Sequence, residues 1–360
     1  MTTKLSSKRT VLLLLCVGLA ILLLFGVSVT LRPRSTPLDH AEVVAQTGTW
    51  IPEFGNPTGP PVYYWTAGNT LTYFGKGADG TPHLFQTTGG RLNTPGREGP
   101  AVDVRGGYAG QLSPDGKWFV EWHQNKKQQR VPTFVAMDGS RRIVGEPSWA
   151  VQGIWRQDGN QEMLCSSWRG KPAMDVYRPD GTPMRKIVMS GVAHFYDPQA
   201  VDAQGCLVGF KDSAFFLHIK IAQGVQARNT PSLAMIRLDL AHPDRPAEEW
   251  KNALPEGAEY GSCVVSPSGN RLLWIVRGDL TSPILQKLRD AMPRLGPAPK
   301  PGVRWLVSGL KGEDMREIAA YPNDVHRTGQ AFPYGSPRWM PDSKHISFLH
   351  RSNLYVRSVE

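Results

Sequence analysis

Short apolar runs recur through the chain, each pair split by a tight polar turn. The cleanest copy spans residues 111–122, where Ser113-Pro114-Asp115-Gly116-Lys117 separates two apolar stretches. Residues 133–144 follow with two more stretches around Asp138-Gly139. Val, Ile, Leu, Phe and Trp dominate the runs, as packed strands require, and Asp-Gly supplies the positive backbone angle of a short hairpin. The same unit returns at 154–181, at 201–238, at 264–307 and at 337–356, with a degenerate first copy at 64–74.

The turn glycines Gly68, Gly116, Gly159 and Gly205 are 48, 43 and 46 residues apart. That period suits four strands per blade. Six copies predict an all-β chain, a six-bladed β-propeller of four-stranded blades over residues 62–360. The last copy has only three strands. Residues 42–50 are expected to supply the fourth and so remove a sheet edge.

Ser113-Pro114-Asp115-Gly116-Lys117 before an apolar strand resembles the repeat of TolB-like and WD40-like β-propellers. It is also similar to the propellers that precede the hydrolase domain of prolyl-oligopeptidase relatives. Residues 266–269 and 340–343 are degraded versions of it. The resemblance implies the propeller portion alone. The separate domain that precedes the TolB propeller has no counterpart in the short stretch before residue 62. No Gly-x-Ser-x-Gly elbow is present, so hydrolase activity is not implied.

The beginning of the chain follows another pattern. Residues 11–31 carry no charge and are mostly Leu and Val, between Lys4, Lys8, Arg9 and Arg32, Arg34. At about 1.5 Å per residue the run crosses a hydrocarbon core of about 30 Å. The expectation is one N-terminal transmembrane helix acting as a signal anchor. Cleavage near residues 26–28 is the alternative. The flanking charges place residues 1–10 in the cytoplasm. Residues 32–61 are then a Pro-rich tether with the closing strand, and the propeller lies outside the cytoplasm, periplasmic or extracellular. The net charge is +10. Half of that excess belongs to residues 1–34, so the propeller is only mildly basic and no nucleic-acid partner is expected. With 37 Gly, 30 Pro and 40% apolar residues, the chain is neither a helical bundle nor a disordered polymer.

Candidate chemistry is sparse. The histidines, His345 and His350 included, show no metal-ligand spacing. Cys165, Cys206 and Cys263 are expected as buried free thiols in inner strands. Asp103, Glu121, Asp197, Asp202 and Asp212 are open candidates for lining a central funnel, and the sequence alone places no pair of them together. Gly75-Lys76-Gly77-Ala78-Asp79-Gly80 matches a dinucleotide fingerprint by letter, but no helical period follows, so a hairpin turn is expected. Two blades are interrupted. In the fifth, residues 278–302 place Ile284, Leu285, Leu288, Met292 and Leu295 at helical spacing. In the fourth, residues 211–231 hold Phe215 and Phe216. These seven side chains are the candidate partner-binding residues. The expected function is a membrane-anchored, non-enzymatic scaffold for a protein or cell-envelope component, without cofactor or metal. The alternative is an envelope enzyme or ligand-binding propeller, glycan- or metal-dependent, with a funnel site.

Overall fold

The computed structural model describes residues 34–47, 50, 63–66, 70–88, 96–102, 108–127, 129–147, 153–156, 162–167, 172–192, 197–211, 232–255, 258–281, 291, 300–322 and 337–360. The apolar run 11–31 lies outside them. Among the described residues no helix is long and apolar enough to cross a membrane.

These residues form six antiparallel sheets of four strands each. Among the described residues the first strand, β1 (Ala41–Gln46), is set apart from the next. Blade 1 then holds β2 (Tyr63–Thr66), β3 (Thr70–Lys76), β4 (Pro82–Thr88) and β5 (Arg97–Ala101). Blade 2 holds β6 (Tyr108–Leu112), β7 (Trp118–Gln124), β8 (Arg130–Ala136) and β9 (Arg142–Val144). Blade 3 runs through β10 (Gly153–Trp155), β11 (Met163–Ser167), β12 (Ala173–Tyr177) and β13 (Pro183–Val188). Blade 4 has β14 (Asp197–Val201), β15 (Cys206–Phe210), β16 (Ser232–Asp239) and β17 (Glu248–Ala253). Blade 5 has β18 (Ala258–Val265), β19 (Arg271–Asp279), β20 (Pro301–Gly309) and β21 (Arg316–Pro322). Blade 6 has β22 (Arg338–Trp339), β23 (His345–His350) and β24 (Asn353–Ser358), and its outermost strand is β1.

The innermost strands β2, β6, β10, β14 and β18 touch in that order. β22 closes the ring from both sides. Trp339 Nε1 donates to Val264 O of blade 5 at 3.2 Å, and Arg338 Nη1 donates to Tyr63 O of blade 1 at 2.8 Å. The Arg338 guanidinium also lies 5.2 Å from the centre of the Tyr63 ring.

The turn motif has a local cause. In blade 2 the Ser113 hydroxyl donates to Asp115 Oδ1 at 2.6 Å and accepts the Trp118 N–H at 2.9 Å. Asp115 Oδ1 accepts the Lys117 N–H at 3.1 Å, and Gly116 takes a φ of 72°. Asp, Ser and Gly therefore each hold one part of the same hairpin. Blade 4 puts Asp202 in the serine position, where Oδ1 accepts the N–H groups of Gln204 and Cys206 at 2.9 Å. Blade 6 has Ser343 where glycine is expected, at a φ of 55°. Its Oγ accepts the Ser268 N–H of blade 5 at 3.0 Å, which links the first turns of two neighbouring blades. The stretch 75–80 is a hairpin turn, with Gly77 N–H on Thr81 O at 2.8 Å and Gly80 at a φ of 81°.

The core lies between blades. The residue before each turn packs against the preceding blade, and the one before that packs against the following blade. Leu112 clusters with Tyr64, Val201 with Ile154, and Val265 with Ala200. Fully buried Trp274 fills the seam between blades 4 and 5, and fully buried Trp305 and Phe348 fill the seam between blades 5 and 6.

β1 pairs with β24 from Ala41↔Arg357 to Gln46↔Asn353. Residues 34–40, which lead into it, are docked as well. Arg357 is buried, and its guanidinium donates to Thr36 O at 2.6 Å and to Ser35 Oγ at 2.9 Å. Ala320 N–H of blade 5 donates to Ser35 O at 2.8 Å, and Arg34 pairs with Glu317 at 3.3 Å. Leu38 packs on the blade 5 and 6 cluster. On the far side of β1, Trp50 stacks on Tyr73 with ring centres 4.4 Å apart.

Deleting residues 36–46 strips the outer edge of blade 6. We expect the single cooperative melt of the propeller to be lost, read by calorimetry. A truncated chain that melts like the parent contradicts the closure. At position 343 the two serine roles separate. Ser343→Ala keeps the left-handed φ and removes the inter-blade bond, so urea unfolding should show a loss of about 1 kcal/mol. Ser343→Gly loses the same bond but relieves about 1 kcal/mol of backbone strain, and should stay close to the parent.

Candidate functional site

The two interrupted blades are neighbours, and both interruptions sit between second and third strands. In blade 4, β15 ends at Phe210 opposite Met235 of β16. In blade 5, β19 ends at Asp279 opposite Pro301 of β20. Both stems leave the end opposite the first turn of each blade, which is here called the insertion end. The blade 5 stem is tied at its base. Asp279 Oδ1 accepts the Thr281 N–H at 2.8 Å and the Lys300 N–H at 2.9 Å, while Leu280 N–H donates to Lys300 O at 2.7 Å. One carboxylate thus holds both ends of the insertion, a function that the apolar pattern did not disclose. Ile284, Leu285, Leu288, Met292 and Leu295 lie outside the described residues, as do Phe215 and Phe216. Of the expected helix only Ala291 is described, and it is helical and exposed.

At the opposite, turn end, a cleft of about 460 Å³ opens between blades 1 and 2. Gln86, Arg97, Glu98, Lys117, Trp118, Asp138 and Arg141 line it, among others. Gln86 Nε2 spans the blades to Gly116 O at 2.9 Å. The Ser140 hydroxyl and N–H hold the Asp138 carboxyl below 3.8. Behind the cleft, His83 Nδ1 lies 2.9 Å from Gly99 O and 3.1 Å from Glu98 Oε1. Burial works against its charged form, but the Gly99 carbonyl, Asp79 and Glu98 outweigh it and raise the ring above 6.5. Lys117 and Arg141 each follow an Asp-Gly turn of one blade. Reading the two turns of a blade as neighbours would have placed them together.

Two of the five funnel candidates, Asp202 and Glu121, are held in ion pairs within their own blades. Asp202 is in a turn, where its Oδ2 accepts Arg237 Nε at 2.7 Å. Glu121 is buried on β7, a second strand, paired with Arg142 of β9 and with His123 at 3.1 Å. Glu121 is on a second strand, and Asp202 directly follows the innermost strand β14. Asp103, Asp212 and the Asp197 side chain lie outside the described residues. Glu162 of blade 3 is likewise occupied, by Arg156 at 3.1 Å and by both terminal nitrogens of Arg185 at 3.0 Å. Among the described residues no group of three or more His, Cys, Asp or Glu side chains gathers to hold a metal. Cys206 and Cys263 are buried free thiols, and burial pushes both up. Cys263 lies on an innermost strand, Cys206 on a second strand, and the Cys165 side chain lies outside the described residues.

One inter-blade seam departs from the apolar rule. Gln111 of β6 stands opposite Val120 of β7, which packs with Trp155 of blade 3. Gln111 Oε1 and Trp155 Nε1 are both buried on this seam, and neither has a hydrogen-bond partner among the described residues. An orphan acceptor and an orphan donor therefore share one seam.

A scan against protein-family models finds no match, and no curated protein sequence matches. Solved structures do resemble the chain. The β-propeller domain of the Trilobed protease from Pyrococcus furiosus has 11% identity and a TM-score of 0.43, over 83% of this chain and 82% of that one. A putative TolB from Agrobacterium tumefaciens has 12% identity and a TM-score of 0.41, over 83% and 90%. The WD40 domain of Toxoplasma gondii coronin has 10% identity and a TM-score of 0.38, over 80% and 65%. TolB and WD40 propellers are thus among the structures similar to this chain, and its own six closed sheets establish the six-bladed propeller.

Gln111→Leu removes a buried acceptor that lacks a partner. Urea unfolding should show a gain of about 1 kcal/mol, since an unmade buried bond costs about 1–3 kcal/mol. A loss of that size instead would mean that a bound water or ligand joins Gln111 to Trp155.

Proposed function

We propose that the chain is a membrane-anchored, extracytoplasmic propeller that serves as a non-enzymatic scaffold for a protein or cell-envelope component. The apolar run 11–31 is the anchor, and the insertions of blades 4 and 5 are the recognition elements. One observation carries this reading. Two adjacent blades depart from the repeat at the same end, and the blade 5 departure rises from a stem clamped by Asp279. A rigid ring that presents two neighbouring extra segments is a platform for recognition. The apolar helical spacing of Ile284, Leu285, Leu288, Met292 and Leu295 gives one segment a face suited to a groove or a second helix.

The test replaces residues 281–299 with Asn-Gly, a two-residue turn that joins Leu280 to Lys300. The full chain, solubilised from membranes, should retain a stoichiometric partner that the variant loses while its melting temperature holds. A partner kept by the variant would move recognition off the insertion. No partner for either form would count against a scaffold.

A further inference from the structure

The closing strand also fixes how the propeller sits on its anchor. Arg34 is already docked, through Glu317, and every residue from Ser35 to Gln46 belongs to the docked segment or to β1. Between Leu31, the last residue of the apolar run, and Arg34 stand only Arg32 and Pro33. Three residue steps span at most about 11 Å. The headgroup layer beyond the hydrocarbon core is itself about 5–7 Å thick. Arg34 must then lie in or just above the headgroups.

Arg34 and Ser35 lie beside Glu317 and Ala320 on β21, next to the turn at residues 309–315. Ala41 pairs with Arg357, at the same end of blade 6 as the turn at residues 340–344. We propose that the turn-end rim of blades 5 and 6 rests against the lipid surface, and that the insertion end faces away from it. This rests on the anchored-scaffold reading above and gives it a direction. Recognition by residues 211–231 and 280–300 would then occur on the side turned away from the bilayer. Lys311 and Lys344 are exposed on the rim, where opposite charges from Glu248 and Glu360 meet them. The same two turns also carry Glu313, Asp314 and Asp342, so the placement rests on the short span between the apolar run and Arg34 and not on charge.

The test uses the full chain in nanodiscs of phosphatidylcholine and phosphatidylglycerol. A fluorophore is attached at Lys311→Cys, Lys344→Cys or, across the ring at the insertion end, Lys127→Cys. Lipids with a nitroxide headgroup quench a nearby label. The rim labels should be quenched several-fold more than the label at position 127. Inserting about 20 Gly/Ser residues between Arg32 and Pro33, a span of about 25 Å, should erase the difference. Equal quenching at all three sites in a chain that resists carbonate extraction would overturn the placement and leave the anchor standing. Release by carbonate with no quenching anywhere would overturn the anchor and the placement together.

Discussion

The pairing of β1 with β24 is the constraint on which the rest of this molecule depends. Six radial sheets have no stabilising outer layer, so each blade leans on two neighbours. A ring with one three-stranded blade would strip Leu38 and Ala41 from the apolar seam of blades 5 and 6 and expose an unpaired edge on β24. The pairing is reinforced where it is most easily peeled. Arg357 grips the backbone ahead of β1, and Trp50 locks onto Tyr73 behind it. Both ends of the strand are therefore held by contacts outside the ladder itself.

Given a closed ring, the two ends of the blades are free to diverge. The turn end is conservative. Its first turns reuse one hydrogen-bonded pattern with Ser113, Asp202, Ser266 or Met340 in the same place, each buried. The insertion end tolerates additions, because a segment between second and third strands disturbs neither the innermost strand nor the outer edge. Asp279 shows how an addition is insulated from the sheet: the carboxylate completes the ladder before the inserted chain departs.

Much of this architecture can be read from one turn. A turn glycine at a near-constant spacing fixes the number of blades because few other residues take the required angle. The incomplete last copy fixes where the closing strand must come from, and 42–50 overlaps β1 well. Side-chain direction is another matter. Asp202 and Glu121 looked like free carboxylates because their partners, Arg237 and Arg142, are distant in sequence and come together only through sheet register. Ser343 hid its role for the opposite reason. It reads as a decayed glycine, yet its hydroxyl reaches a turn in another blade. The polar seam of Gln111 and Trp155 had no sequence signal, since each is ordinary within its own strand.

The N-terminal position of the closing strand has a consequence in time. β1 leaves the ribosome about 300 residues before its partner β24. At about 5–20 residues per second the wait is about 15–60 s. Joining ends so far apart carries a loop-closure cost of about 5 kcal/mol in a flexible chain, which prior assembly of the intervening blades removes. The body should therefore assemble in chain order as an open arc, with closure as its final step. Through that interval β1 must stay unpaired without finding a foreign edge. Pro33, Pro37 and Pro52, close to its two ends, shorten the stretch that such an edge could capture.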